Sequence, residues 1–258
     1  MDSTFYIMLA GQVIQVSSLY ETTKEFCKDY LVEDGTGLLA DLTPDITVTI
    51  TPKDIRYEQE KSAREDEVEG IPVRHFSELY LETLSVYRKI AEQMPFYDTI
   101  LFHGSAIAVD GEAYLFTAKS GTGKSTHTRF WRDYFGERAV MVNDDKPLIR
   151  ITQEGVTIYG TPWNGKHRLG SNVSAPLKAI CLLERDKENH IEAVTAKELY
   201  PRLLQQTYRP GNPASMMQTL QLMDRLTGQV GLYRLGCNLS PDAAKVAYEG
   251  IHSTEFFK

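Results

Sequence analysis

The sequence is poor in several things, and each shortage excludes something. No apolar run approaches the roughly 20 residues that cross a bilayer as a helix, so no membrane partner is expected. The opening stretch, MDSTFYIMLAGQVIQVSS, has no basic region before its apolar part. It does not read as a secretory leader; it alternates, as a strand does. Cysteine is scarce: Cys27, Cys181 and Cys237 lie far apart, with no C-x-x-C pair. That excludes a disulfide framework and a cysteine-based zinc site, and predicts buried free thiols in a cytoplasmic protein. Basic charge is in deficit, with 28 Lys and Arg against 35 Asp and Glu, a net charge of −7. A general nucleic-acid surface is thereby excluded, while one local anion site is not. No internal repeat or low-complexity tract occurs.

What is present suits a globular chain. Of 258 residues, 42% are hydrophobic and 10% aromatic, ample for a core. Residues 5–16 and 46–51 read as strands and 20–31 as a short helix. Residues 58–69, almost all charged or polar, read as a solvated loop. An amphipathic helix is expected over 77–94, capped by Ser77, ended by Pro95, with Leu79, Leu81, Leu84, Val86, Tyr87 and Ile90 facing the core. From residue 98 the pattern changes. Strands are predicted at 99–109 and 112–117 around an Asp110-Gly111 hairpin turn. Further strands fall at 139–143, 147–151, 156–160, 178–184 and 230–236. Helices fall at 124–135, 196–206, 213–227 and from Ser240 with Pro241 first. The reading is α/β: a small α+β segment over 1–95, then an α/β domain over 96–258.

One segment carries chemistry: Ala118-Lys119-Ser120-Gly121-Thr122-Gly123-Lys124-Ser125-Thr126, between a strand and a helix. That is a phosphate-loop (Walker A) arrangement, with Ala118 where glycine is usual. Gly121 and Gly123 can take positive φ, so that backbone N–H groups converge on phosphate oxygens. The helix N-terminus adds unpaired N–H groups and the positive dipole end. Lys124 supplies charge for the β- and γ-phosphates, and Ser125 a hydroxyl for Mg²⁺.

Two further signals flank it. Val140-Met-Val-Asn-Asp-Asp145 is a short strand ending in paired acids, Asp144 and Asp145. Two carboxylates can divide labour, one holding metal and one serving as base. His103 lies on a strand that the hairpin lays beside the one feeding the loop. A third segment, Gly160-Thr-Pro-Trp-Asn-Gly-Lys-His-Arg168, gathers Trp163, Lys166 and Arg168 in a turn suited to anion or substrate docking. His127, one turn into the loop helix, reads as a surface residue.

The run from Phe102 through Ser125, with Val142-Asn-Asp-Asp145, resembles the catalytic domain of HPr kinase/phosphorylase. The Ser120–Lys124 loop is also similar to that of phosphoenolpyruvate carboxykinase, which shares the nucleotide fold. The tail, Val230–Leu235 and the helix after it, is similar to stand-alone relatives of that kinase. The resemblance implies a phosphate-loop nucleotide-binding domain of this type, using ATP and Mg²⁺. It implies that Lys124 and Ser125 bind phosphate and metal, that Asp144 is the base for a serine hydroxyl, that Asp145 serves the metal, and that His103 sits close to Asp144 and tunes it. It also implies self-association. The family's later glutamate motif has no match in Tyr159–Arg168, which points away from HPr as acceptor.

The expected function is therefore a kinase acting on a hydroxyl of a protein, peptide or small molecule. Two alternatives stand beside it: an ATPase or nucleotide-dependent switch, and a catalytically silent nucleotide-binding regulator. The chain lacks both the Asn-Lys-x-Asp guanine signature and the Leu-Ser-Gly-Gly-Gln transporter signature.

Overall fold

The computed structural model describes residues 3–32, 43–119, 121–165 and 167–253. The chain divides into two compact units, residues 1–93 and 94–258.

In the first unit, β1 (Ser3–Leu9) and β2 (Gln12–Ser18) form an antiparallel hairpin. The stretch expected as one strand over 5–16 is thus two. Ala10 and Gly11 turn the chain with φ of 49° and 77°, the paired positive values that a tight hairpin needs. Strand β3 (Ile46–Thr49) adds parallel to β2. After α1 (Glu21–Phe26) come two long helices, α2 (Pro52–Glu69) and α3 (Glu78–Gln93). Alternation puts Phe5, Ile7, Leu9, Ile14, Val16, Ile46 and Val48 into the core, where Leu81, Val86, Tyr87 and Ile90 of α3 are also buried. Leu79, expected inside, is 43% exposed. It lies in the first turn of α3, beside the exposed Tyr80.

The predicted loop over 58–69 is the C-terminal two-thirds of α2. Its start is well signalled: a capping box between Thr51 and Asp54, with Pro52 at the first position. Gly70, in the left-handed conformation, closes it. What misleads is its inner face, which uses charge in place of apolar side chains. Buried Glu58 takes the Arg88 guanidinium of α3. Asp54 takes Lys89 at 2.9 Å, and Asp66 receives the backbone N–H of Arg74 at 2.8 Å and its guanidinium. An apolar-periodicity search has no purchase on such a helix.

The second unit is a curled mixed sheet. Its strands are β4 (Thr99–Leu101), β5 (Ser105–Val109), β6 (Glu112–Thr117), β7 (Ala139–Asn143), β8 (Leu148–Ile151), β9 (Val156–Tyr159), β10 (Ser174–Arg185), β11 (His190–Ala193) and β12 (Gly231–Cys237). Their order is β4-β8-β9-β10-β6-β5-β7, with β12 also on β10 and β11 on β12. The run expected as one strand over 99–109 breaks at Phe102–Gly104, so β4 and β5 pair with different neighbours. Strand β11 was not expected at all. Three of its four residues are exposed, so it lacks the apolar alternation that would reveal it.

Strand β10 joins the two halves of the sheet. Its first residues pair antiparallel with β9, and after an irregularity at Leu177–Ala179 the rest lies parallel to β6 and β12. Both faces of these strands are covered. Leu115, Ile180 and Leu182 face a core shared with Leu199 and Leu203 of α5 (Ala196–Gln206) and Leu222 and Leu226 of α6 (Pro213–Gln229). Tyr114, Phe116, Cys181 and Leu183 face the opposite core, shared with α4 (Lys124–Phe135) and α7 (Asp242–Ser253). Period-two alternation thus sorts side chains between two buried layers. Trp131 of α4, fully buried, packs in tilted and edge-on contacts against Tyr114, Phe116, Phe135 and Tyr248. A ring of that size contributes about 3 kcal/mol by burial and pins α4 to the sheet. No disulfide forms; Cys27 and Cys181 are buried and Cys237 is half-buried. Burial pushes the Cys27 thiol up to about 12. Among the described residues no helix is long and apolar enough to cross a membrane.

Candidate functional site

Strand β6 ends at Thr117 and α4 begins at Lys124, so residues 118–123 form the connecting loop. Ser120 lies outside the described residues. Lys119 and Thr122 close a turn, the Thr122 N–H donating to the Lys119 carbonyl at 3.2 Å. Gly121 and Gly123 have φ of 76° and 122°, and a Cβ at either would meet no neighbour. Their glycines are therefore required by conformation, not by space. Ala118 is buried and takes no positive φ, so alanine is accommodated at that position.

The start of α4, with Gly123 at the cap position, has neither a side-chain cap nor an acid in its first turn. Instead Lys124 occupies the first position, adding positive charge to the positive dipole end. Burial holds the Lys124 amine below its ordinary range, while the charge of Asp145 partly restores it. Its Nζ donates to the Ala118 carbonyl at 3.1 Å. An unfavourable charge at an uncapped N-terminus is what an anion site looks like before the anion arrives.

Strands β6 and β7 both run antiparallel to β5, so their C-terminal ends meet at one edge of the sheet. The linker Phe102–Gly104 stitches those ends together. Thr117 Oγ1 donates to the His103 carbonyl at 3.1 Å, and the Gly104 N–H to the Asp145 carbonyl at 3.0 Å. Glycine suits 104, because a Cβ would stand 2.8 Å from Leu115 Cδ1 and 3.0 Å from the Phe116 carbonyl, so both would have to give way to a larger residue.

Asn143 makes the paired acids diverge. Its Oδ1 accepts from the N–H groups of Asp145 and Lys146 at 2.9 and 2.7 Å, which folds the chain into a tight turn. Its Nδ2 donates to Thr161 Oγ1 at 3.0 Å and anchors the following loop. Asp144 then points inward. It is 5% exposed and accepts the Gly165 N–H. Burial raises its carboxyl above the usual range; the Gly165 bond opposes this, the Asp145 charge adds to it, and the His167 charge opposes it. Asp145 points the other way, towards His103 Nε2 at 3.3 Å and Lys146 Nζ at 3.4 Å. Burial would raise it too, but His103 and Lys146 together hold it below the ordinary value. Two adjacent aspartates are thus pushed in opposite directions, the condition for different roles.

Several expectations meet corrections here. His103 contacts Asp145, not Asp144, because the linker carrying it bonds the Asp145 backbone. Trp163 is 3% exposed, so its ring has no open face for a substrate. Arg168 is exposed at a positive φ of 49°, and Lys166 lies outside the described residues. His127 is 2% exposed and wedged against Phe116 and Trp131, since the loop helix packs that side onto the sheet. Sequence reasoning gave no role to Asn143 or Arg185, took Gly165 only as a turn residue, and placed His167 only among the nitrogen-rich side chains of that turn. Asn143 stood inside the recognised motif. Nothing in sequence spacing connects Gly165 to Asp144.

Among the described residues no group of three His, Cys, Asp or Glu side chains could hold a metal. The hard oxygens of Asp145 and Ser125 nonetheless fit an ion such as Mg²⁺. That ion commonly takes one or two protein oxygens, with water and substrate phosphate completing its shell. Asp145 is held ionised, and its oxygens have lone pairs beyond those used by His103 and Lys146.

His127 yields a prediction about stability. The Trp131 indole donates to His127 Nε2 at 2.9 Å, so the ring carries its proton on Nδ1. That Nδ1 is buried without a partner, and burial lowers the group from 6.5 to about 3. A histidine depressed in the folded state contributes fully above its unfolded value and loses that contribution as pH falls. Acidification from pH 6.5 to 4 is therefore expected to destabilise the protein by roughly 3 kcal/mol through this residue. Chemical denaturation across that range, in wild type and His127→Gln, measures it. Parallel curves would show that His127 is not the cause.

No family model and no curated protein matches the sequence. Among solved structures, the HPr(Ser) kinase/phosphatase from Coxiella burnetii aligns with 60% of this chain and 98% of its own. The two are 11% identical, and the TM-score is 0.34.

Proposed function

We propose that this chain is a phosphotransferase that uses ATP and Mg²⁺ to phosphorylate a hydroxyl, of the serine class, on a protein, peptide or small molecule. One observation carries the reading. An uncapped helix N-terminus headed by Lys124 stands beside two carboxylates whose acidities are pushed apart, at one edge of the sheet.

The loop from Ala118 to Thr126 receives the phosphates through its N–H groups. Lys124 exchanges the Ala118 carbonyl for β- and γ-phosphate oxygens. Asp145 and Ser125 would hold Mg²⁺, which when bound would offset the charge of the phosphates. Asp144 accepts the proton of the acceptor hydroxyl as that oxygen bonds to the γ-phosphorus and the bond to ADP breaks. His103 keeps Asp145 ionised and oriented. Its place is with the metal-binding carboxylate and not with the base.

The test is transfer from γ-labelled ATP to a panel of hydroxyl-bearing proteins and peptides, with ADP release followed alongside. A labelled acceptor, and faster ADP release in its presence, supports the reading. ADP release that no acceptor accelerates identifies an ATPase or switch. Nucleotide binding without turnover identifies a silent regulator.

A further inference from the structure

Strand β10 runs parallel to β6, with Leu182 opposite Thr117, so both chains leave the sheet at the same edge. Arg185, the last residue of β10, therefore stands next to the loop. Its Nη2 donates to the Gly121 carbonyl at 2.6 Å. That peptide group is held from both sides, because its N–H, on Thr122, donates to Lys119.

The charge of Arg185 is otherwise unspent. Neighbouring acids are occupied elsewhere: Glu184 lies 3.8 Å from Arg234, and Asp186 accepts the N–H groups of Lys187 and Glu188 at 2.5 and 3.3 Å. Among the described residues Arg185 enters no ion pair, and its side chain is exposed. A guanidinium has five donors in a planar fork that matches phosphate oxygens. A single neutral carbonyl uses little of that capacity, and a phosphate is the stronger partner.

We propose that Arg185 is the second cation of the site: it clasps the Gly121 carbonyl when the loop is empty and binds a phosphate oxygen of the nucleotide when it is filled. This rests on the loop's being phosphate-binding, and the experiment separates the two claims. Affinities for ATP and for adenosine are measured in wild type, Arg185→Gln, Arg185→Lys and Lys124→Ala, each checked for folding by circular dichroism. Arg185→Gln is expected to weaken ATP by about tenfold to a hundredfold, the worth of one charged hydrogen bond. Adenosine affinity is expected to be unchanged, and Arg185→Lys to recover part of the loss. If Lys124→Ala weakens ATP but Arg185→Gln stays within twofold of wild type, the role of Arg185 is overturned and the loop reading survives. Equal loss of ATP and adenosine in Arg185→Gln overturns it as well, showing a purely structural clasp. If neither variant affects ATP, both claims fall.

Discussion

Asp144→Asn is expected to abolish phosphoryl transfer while leaving ATP binding intact and the fold slightly more stable. The loss should reach about a thousandfold, the scale of a missing general base. Binding survives because the variant leaves the loop amides and Lys124 unchanged, and asparagine still accepts the Gly165 N–H that holds the side chain. Stability follows from the raised carboxyl. A group whose folded value lies above its unfolded one favours folding when protonated and opposes it once ionised. At neutral pH the ionised, buried Asp144 is therefore a cost. Asparagine removes that charge and keeps an oxygen to accept from Gly165. Steady-state transfer, nucleotide titration and a thermal melt on the same preparation check all three parts. Surviving transfer would remove Asp144 as the base. A clearly lower melting temperature would show that its carboxylate supports the fold.

Lys124→Ala is expected to reduce ATP affinity by about a hundredfold and turnover further, with little change in melting temperature. Magnitudes of this order follow from losing a part-buried cation at a phosphate. The fold should tolerate the change. Alanine is the best helix former, and removing a positive charge from a helix N-terminus relieves an unfavourable dipole contact. The Ala118 carbonyl loses one donor. Calorimetric titration with ATP, beside a melt without nucleotide, distinguishes loss of function from loss of structure. Wild-type affinity in this variant would sink the phosphate-loop reading.

The second unit was legible wherever local chemistry and position coincide. Asp110-Gly111 at φ 52° and 87° makes the expected hairpin, and α4 and α5 span the predicted residues. The loop glycines adopt the positive φ foreseen for them. Legibility failed where long-range contacts decide. Charged α2 is a helix because Arg88 and Lys89, some thirty residues on, meet its acids. His127 is buried because Phe116 and Trp131 close on it, although its position in the helix reads as surface. The exchange of partners around Asp144 and Asp145 depends on Gly165 and His103, 21 and 42 positions away in sequence. A motif search finds the acids but has no means of telling which partner each one has.

The twelve-residue β10 also bears on how the chain reaches this state. Only its first residues, on β9, pair with a near neighbour in sequence; the rest pair with β6, about 65 residues earlier, and β12, about 50 later, so no local hairpin sets the register of that longer part. Contacts of such separation carry a high loop-closure cost and slow folding. Arg185 reaches Gly121 across 64 residues, so the loop's outer contact waits on β10 finding its register. A chain emerging from the ribosome would display the glycine loop and its lysine well before the strand that steadies them. Assembly of the chemistry is therefore expected among the late events of folding, coupled to closure of the whole sheet.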